Sequence, residues 1–271
     1  MSIVFVGGGN MAAALIGGML AGDFAAHEIT VVEPSEASRA RLNEQFGVHV
    51  VASAADAPLP ADALVLAVKP QQMKAAAAPY GPRLGDTLVV SIAAGLRVEA
   101  LSRWLGGHRR LVRCMPNTPA LIRAGITGLY ADPSVDAAGR ALAERLLAAV
   151  GSTVWLDEEA RMDAVTAISG SGPAYVFHFI EALEAAAAGF GFDAATARKL
   201  AIDTVLGAAR LAAGSDESPA VLRERVTSKG GTTAAALAVM GERDLVGLVA
   251  AATRAAEDRG RALGDELGAE A

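Results

Sequence analysis

The sequence of 271 residues is long enough for one large or two moderate domains, each able to bury its own core. Its 52% hydrophobic content comes mainly from alanine and aliphatic residues, and a net charge of -6 without any basic run argues against nucleic acid as a partner. The single cysteine, Cys114, cannot form an internal disulfide, so the fold needs no oxidising compartment and we expect a cytoplasmic protein.

The chain opens with an uncharged stretch, from Ser2 to Gly22, that has about the length of a membrane-spanning helix. A signal peptide would begin with positive charge, but the first Lys or Arg is Arg39. Three successive glycines follow the apolar run IVFV, and a helix-forming segment follows the glycines. We therefore predict a buried parallel strand, a glycine turn and a helix rather than a membrane anchor.

The glycines have the G-x-G-x-x-A spacing of a dinucleotide-binding turn, at Gly7, Gly9 and Ala12. The first glycine permits a tight turn, the second lets the backbone approach a pyrophosphate, and the alanine keeps the helix close to the strand. The N–H groups at the start of the helix would face the phosphates. The motif alone is weak, since a glycine turn can also bind nothing, and the surrounding sequence decides between the two.

Further apolar runs alternate with helical segments along the first half of the chain: EITVVEP, ALVLAVKP, TLVVSIAAG and RRLVRCMPNTP. This alternation predicts a doubly wound parallel sheet. Glu33 ends the second strand, where an acid commonly hydrogen-bonds the adenosine ribose. Ligands of such sheets bind at the carboxyl ends of the strands. One crevice should therefore be lined by residues at four of these ends: Gly7, Lys69, Ala93 and Asn117.

The second half changes character after STVWL at residues 152–156, where the strand signal stops. Helices are predicted after Pro173, over residues 194–213 and from about Asp244, the last with its apolar residues on one face. We predict a dinucleotide-binding domain at residues 1–157 and a helical domain at residues 158–271. Helices so rich in alanine and glycine suit close packing between subunits, although simple compositional bias is the alternative.

Clusters of the usual catalytic or metal-ligating residues are missing from the sequence. The histidines lie far apart and have no acidic or cysteine neighbours at ligand spacing, so no metal site is expected. These histidines are His27, His49, His108 and His178. Cys114 has no neighbour that would activate its thiol, which favours a buried structural role. The chain also lacks a G-x-S-x-G nucleophile elbow.

Three glycine- and hydroxyl-rich segments remain as candidate sites: CMPNTP at 114–119, SGSGPAY at 169–175 and VTSKGGTTAAAL at 226–237. In the second, Ser169 and Ser171 lie before a helix that Pro173 can start. In the third, hydroxyls and N–H groups from Ser228 to Thr233 precede an alanine helix whose dipole would hold a carboxylate without an arginine. An ordinary Ser/Thr N-cap is the alternative, but paired glycines and threonines exceed what a cap requires.

Together these segments resemble the pyrroline-5-carboxylate reductase family, which performs the last step of proline biosynthesis. The resemblance covers essentially the whole chain and rests on GGGNMAAALIGG, AVKPQ, SIAAG, MPNTP, SGSGPAY and, above all, VTSKGGTT. It implies an oxidoreductase that uses NAD(P)H to reduce the C=N bond of 1-pyrroline-5-carboxylate to L-proline. It also implies an α/β fold, with an N-terminal Rossmann doubly wound sheet and a C-terminal all-α domain that forms a homodimer, the dimers commonly assembling to decamers.

The resemblance and the residues together give a hypothesis for the site. The cofactor-binding residues would be Gly7, Gly9, Asn10, Met11, Glu33, Ser35, Lys69, Pro70, Ala93 and Asn117. The substrate-binding residues would be Ser228, Lys229, Gly230, Gly231, Thr232 and Thr233. Thr233 would hydrogen-bond the ring nitrogen and is assigned a catalytic role together with Ser171. A protonated iminium is already electrophilic, so positioning would supply much of the rate.

The resemblance and the residues point to different cofactors. The resemblance implies NADP, whereas Glu33 suggests NAD, because its charge would repel a 2′-phosphate. Ser35 and Arg39 would bind that phosphate if Glu33 turned away. We expect appreciable use of NADH, and the sequence leaves the cofactor ratio, the oligomer size and inhibition by proline open.

Two other functions remain as alternatives. A 3-hydroxyacid dehydrogenase also combines a Rossmann domain with a helical one, but it needs a lysine base on the helix after its substrate loop. The corresponding segment here, AYVFHFIEALEAAAAGF, contains no lysine. A non-catalytic nicotinamide-binding sensor would keep Gly7 and Gly9 but would have no reason for SKGGTT.

Overall fold

The computed structural model describes residues 1–269, and within them the chain forms an eight-stranded sheet. Its strands are β1 (Ile3–Val6), β2 (Ile29–Val32), β3 (His49–Val51), β4 (Ala63–Leu66), β5 (Leu88–Ser91), β6 (Leu111–Met115), β7 (Gly125–Ala131) and β8 (Gly151–Trp155). The order is β3-β2-β1-β4-β5-β6-β7-β8, parallel throughout except for the antiparallel pair β6 and β7. The predicted doubly wound fold is confirmed.

Helices and loops connect the strands, and the described chain divides into two compact units. The first unit is Met1–Ser171 with the part of the chain from Ala255 on, and the second is Gly172–Arg254. The first contains α1 (Asn10–Leu20), α2 (Glu36–Phe46), α3 (Met73–Ala77), α4 (Val98–Trp104), α5 (Ala137–Ala148), α6 (Arg161–Val165) and a π-helical turn, Thr166–Gly170. The second contains α7 (Gly172–Gly189), α8 (Ala194–Ala213), α9 (Pro219–Arg225) and α10 (Thr232–Glu242), and α11 (Leu245–Ala269) has residues in both.

Apolar clusters cover both faces of the sheet. In β1, Ile3 and Phe5 belong to one cluster, while Val4 and Val6 belong to the other, and all four side chains are buried. Because both faces are covered, the parallel strands read as continuous apolar runs in the sequence instead of alternating patterns.

The uncharged opening stretch has the predicted form of strand, turn and helix. β1 ends at Val6, the glycines turn the chain, and α1 begins at Asn10. Leu15, Ile16 and Met19 of α1 are buried in the core. Over residues 1–269, the structure contains no helix that is long and apolar enough to cross a membrane.

Two strands, β3 and β7, are absent from the prediction made from the sequence. β3 has only three residues at the edge of the sheet, and His49 at its start is exposed. β7 contains glycine at two positions, which weakens the strand signal. Gly128 is needed there, because a Cβ would lie 2.8 Å from Cγ1 of Val165 in α6. Packing against α6, which the local sequence does not reveal, therefore determines this part of β7.

The second unit buries little apolar surface of its own. α7 and α8 pack against each other, and Ala197 and Ala201 of α8 are buried. By contrast, Phe177, Phe190 and Val246 are 61%, 83% and 82% exposed. Large apolar side chains exposed on this scale mark an interaction surface.

Candidate active site

The glycine turn after β1 has the geometry of a phosphate-binding turn. Gly7 has a φ of +93°, which favours glycine, and a Cβ there would lie 2.8 Å from Cγ1 of Val68. Gly9 caps α1 without help from any side chain of the described residues, and a Cβ on it would meet no described atom within 4 Å. The open space above Gly9 and the N–H groups of the first helical turn fit a dinucleotide pyrophosphate.

Gly8, which the sequence-based prediction passes over, connects the turn to the end of β2. Its N–H donates to Oε2 of Glu33 at 2.9 Å, and the N–H of Ser35 donates to Oε1 of the same carboxylate at 3.0 Å. A Cβ on Gly8 would overlap Leu42 of α2. Gly8, the middle glycine of the GGG run, is the local signal of this contact, which holds Glu33 beside the turn.

Ser35 and Arg39 also have partners at the end of β2. The Ser35 hydroxyl caps α2 by accepting from the N–H of Ser38 at 3.3 Å. Nη1 of Arg39 donates to the carbonyl oxygens of Glu33 and Pro34 at 2.8 and 2.7 Å. Ser35 and Arg39, the predicted ligands of a 2′-phosphate, therefore lie beside Glu33, in contact with this segment.

The strand order brings together the other residues of the predicted crevice. β1, β4, β5 and β6 are successive neighbours, so the segments that follow them lie along one edge of the sheet. Lys69 precedes the short 3-10 helix Pro70–Gln72 after β4, and Ala93, 5% exposed, follows β5. The N–H of Ala93 donates to Oγ of Ser91 at 3.4 Å. These positions agree with the rule for ligand sites in doubly wound sheets.

Asn117, after β6, is buried, and its side-chain amide joins two other segments. The Asn117 Oδ1 accepts from the N–H of Ile126 at 3.0 Å, and Nδ2 donates to the carbonyl of Ser169 at 3.2 Å. Ser169 lies in the π-helical turn, and the N–H of Ser171 closes that turn by donating to the carbonyl of Thr166 at 2.8 Å. Such π-turns occur frequently at functional sites, and no motif in the sequence predicts this one.

The hydroxyl-rich turn before α10 belongs to the second unit. Gly230 has a φ of +74°, and the N–H of Gly231 closes the turn by donating to the carbonyl of Ser228 at 3.0 Å. Gly231 is the N-cap of α10, and no side chain in the described part of the chain caps this helix. The Ser/Thr N-cap considered as the alternative is therefore not formed. Thr232 is exposed and Thr233 half-buried at the first two positions of α10.

Burial shifts the pKa values of two side chains, Cys114 and His108. Cys114 is 1% exposed and unpaired, and burial raises the pKa of its thiol, in agreement with a structural role. Burial also lowers the pKa of His108, whose Nε2 lies 3.0 Å from the carbonyl oxygen of Thr87. In the part of the chain that the structure describes, no three His, Cys, Asp or Glu side chains are grouped as metal ligands.

Comparison with known proteins identifies the family. Residues 2–95 match a family model described as NADP oxidoreductase coenzyme F420-dependent, and residues 159–263 match one described as pyrroline-5-carboxylate reductase dimerisation. The pyrroline-5-carboxylate reductase of Pseudomonas aeruginosa is 48% identical over 267 residues, which are 98% of each chain. The chain belongs to the pyrroline-5-carboxylate reductase family.

Solved structures of pyrroline-5-carboxylate reductases have the same fold. The one from Coxiella burnetii is 41% identical, with a TM-score of 0.93 over 97% of this chain and 98% of that chain. The one from Plasmodium falciparum, with NADP bound, is 28% identical, with a TM-score of 0.85 and the same coverage. The predicted family, enzyme class and nicotinamide cofactor, NADP or NAD, are confirmed, and the match to the dimerisation model supports a homodimer.

Proposed function

We propose that this chain uses NAD(P)H to reduce the C=N bond of 1-pyrroline-5-carboxylate to L-proline, the reaction that its family name describes. The observation that carries the proposal is the start of α10. There a glycine caps the helix, no side chain of residues 1–269 takes up the first N–H groups, and two threonine hydroxyls lie alongside. This arrangement suits the carboxylate of a small cyclic imino acid.

In this proposal the turn before α10 binds the substrate. The backbone N–H groups and hydroxyls of Ser228, Gly230, Gly231 and Thr232 hold the carboxylate, and the exposed Lys229 adds positive charge nearby. The Thr233 hydroxyl accepts a hydrogen bond from the protonated ring nitrogen, which orients the C=N bond. Ser171 is proposed as a second polar group at the reacting centre.

The glycine turn and the strand ends of the first unit would hold the cofactor. The pyrophosphate would bind over Gly9, Asn10 and Met11 at the start of α1, where a Cβ on Gly9 would meet no described atom within 4 Å. Glu33 and Ser35 would hold the adenosine ribose, while Lys69, Pro70, Ala93 and Asn117 would hold the second ribose and the nicotinamide. When bound, the dihydronicotinamide supplies the hydride that adds to the C=N carbon. The residues act mainly by positioning, which can contribute several kcal/mol to a reaction of this kind.

We also propose the larger organisation of the protein. Residues 1–157 form the dinucleotide-binding domain and residues 158–271 the dimerisation and substrate domain, with the dimers assembling to a decamer. The match of residues 159–263 to the dimerisation model supports a boundary near residue 158, whereas the compact units of the structure divide after Ser171 and after Arg254. The exposed apolar side chains of the second unit support its role in dimerisation. A cytoplasmic location agrees with a lone, buried cysteine. Light scattering coupled to size exclusion would measure the number of subunits.

A substitution at Thr233 tests the proposed substrate site. Thr233→Ala should lower kcat/KM for pyrroline-5-carboxylate by about tenfold or more, the value of a hydrogen bond of about 1.4 kcal/mol. The dissociation constant of NADPH, measured by fluorescence, should stay unchanged. Thr253→Ala is the matched control, because the Thr253 hydroxyl donates to the carbonyl of Val249 in its own helix at 2.9 Å. Unchanged kinetics in Thr233→Ala would refute the role of this residue.

A further inference from the structure

A buried arginine lies in β6, close before the Asn117 segment. Arg113 is 3% exposed, its Nη1 lies 3.1 Å from Oε1 of Glu159, and its Nη2 lies 3.6 Å from Oδ1 of Asp163. We refer to these three residues as the Arg113 cluster. Burying such charges carries a desolvation cost that pairing often fails to recover, so stability alone is a weak explanation for the cluster.

Glu159 connects β6 to a second segment. The same Oε1 that meets Arg113 also accepts from the N–H of Val98 at 2.8 Å. Val98 is the first residue of α4, which follows directly on the loop that carries Ala93 after β5. One carboxylate oxygen thus ties the Ala93 loop to β6, which leads to Asn117.

Asp163 connects the cluster to a third segment. It lies in α6, and α6 continues directly into the π-helical turn Thr166–Gly170. The Ser169 carbonyl in that turn accepts from the Asn117 amide. The Arg113 cluster therefore joins the Ala93 loop, the Asn117 segment and the π-helical turn, although none of its three side chains is among the predicted ligand contacts.

We propose that Glu159 is a positioning residue for hydride transfer, because the Arg113 cluster fixes these three segments relative to one another. The inference rests on the proposed role of Ala93 and Asn117 at the nicotinamide side of the site. Removing the Glu159 carboxylate leaves Arg113 with Asp163 alone and takes away the partner of the Val98 N–H. Small displacements of reacting groups are costly, since a misplacement of about 1 Å can lower a rate about 100-fold.

The cluster should affect the nicotinamide side without weakening the attachment of the cofactor as a whole. The glycine turn belongs to β1, which is separated from β6 by β4 and β5 in the sheet. Its contacts, including the one from Gly8 to Glu33, do not involve the cluster. Cofactor affinity and the rate of hydride transfer should therefore respond differently to a change at Glu159.

The test compares Glu159→Ala and Glu159→Gln with Glu158→Gln, which makes the same charge change on the adjacent, exposed side chain. Single-turnover reduction of pyrroline-5-carboxylate by enzyme with NADPH bound gives the rate constant of hydride transfer. We expect a decrease of about 10- to 100-fold in Glu159→Ala, a smaller one in Glu159→Gln and none in Glu158→Gln. The dissociation constant of NADPH should change less than about threefold, which is less than the loss of one typical hydrogen bond to the cofactor would cause.

A purely structural role would give a different result. It would lower the amplitude of the single turnover, because less protein is folded, and leave the rate constant unchanged. That outcome, or an unchanged rate constant at full amplitude in both Glu159 variants, would overturn the proposal. If Glu159→Ala does not fold, Glu159→Gln decides, because its amide oxygen can still accept from Val98.

The emission of bound NADPH separates this proposal from the proposed function. A shifted nicotinamide should alter the fluorescence of the bound cofactor in the Glu159 variants and leave it unchanged in Glu158→Gln. This measurement needs no substrate. A wild-type chain that binds NADPH without reducing pyrroline-5-carboxylate would refute the proposed function, while unchanged emission in the Glu159 variants would refute the positioning role.

Discussion

Removing the charge of Glu33 should shift cofactor use from NADH towards NADPH. The carboxylate accepts hydrogen bonds from the N–H groups of Gly8 at 2.9 Å and Ser35 at 3.0 Å. To turn away from the glycine turn it would have to break both, and hydrogen bonds to a charged group contribute about 1.5–3 kcal/mol each. We therefore expect Glu33 to keep its place where the adenosine ribose binds in this fold.

The expected size of the shift follows from the repulsion between this carboxylate and a 2′-phosphate. Two like charges about 4 Å apart repel by about 1 kcal/mol in bulk water and about 4 kcal/mol at an effective dielectric constant of about 20. Glu33 is half-buried, so an intermediate value of about 2 kcal/mol applies. This corresponds to a change of about 30-fold in the ratio of kcat/KM values for the two cofactors.

Glu33→Gln keeps the shape of the side chain and one acceptor oxygen while it removes the charge. Steady-state kinetics with NADPH and NADH should show the NADPH/NADH ratio of kcat/KM rising by about this factor. Glu44→Gln, which neutralises an exposed acid in the last turn of α2, is the control and should leave the ratio unchanged. A wild-type chain that strongly prefers NADPH, with a ratio that Glu33→Gln does not alter, would refute the reasoning.

Packing and burial set three further outcomes. Gly18→Ala should lower the free energy of unfolding by about 2–3 kcal/mol in denaturant titrations, because the new Cβ would overlap the Ala149 carbonyl. Gly17→Ala is the control. Its Cβ would meet only the movable ring of Phe46, so the change should be neutral or stabilising by up to about 1 kcal/mol. Burial lowers the pKa of His108 in the folded protein below its ordinary 6.5. Below that pH the unfolded chain binds the proton more readily than the folded protein does. The free energy of unfolding should therefore fall as the pH drops below 6.5. His108→Gln should weaken this dependence in denaturant titrations at several pH values. Cys114 should react with thiol reagents only as fast as the chain unfolds, and rapid labelling of the native protein would contradict its burial.

The sequence predicts those parts of the fold whose cause is local. The run IVFV followed by glycines is sufficient to predict β1, the turn and α1, because strand burial, turn geometry and helix propensity all act within a few residues. The placement of Ala93 and Asn117 along one edge also follows, since both come directly after parallel strands. The predicted ligand contacts of these residues stay predictions, which the experiments above address.

Features that depend on residues distant in the chain could not be predicted in this way. β7 contains glycines that lower its strand propensity, and it forms because β6 pairs with it and α6 packs on Gly128. The hydrogen bond from Gly8 to Glu33 depends on how β2 lies beside β1. The π-helical turn Thr166–Gly170 has no sequence signature. In each case the missing information is a tertiary contact and not a local preference.

Arg113 shows how such a contact still leaves a trace in the sequence. It interrupts an otherwise apolar strand, LVRCM, and a charge in a buried parallel strand conflicts with the local pattern unless a partner compensates for it. The partner, Glu159, is 46 residues further along the chain, in the charged segment at residues 157–161 that contains the predicted domain boundary and no apolar strand. The lone charge of Arg113 inside a buried strand and the charged segment that contains Glu159 therefore have one explanation, the pairing of these two residues. A residue that conflicts with its local pattern often marks a functional constraint. If Glu159 positions the nicotinamide side of the site, this pairing is the reason that both exceptions occur in the same chain.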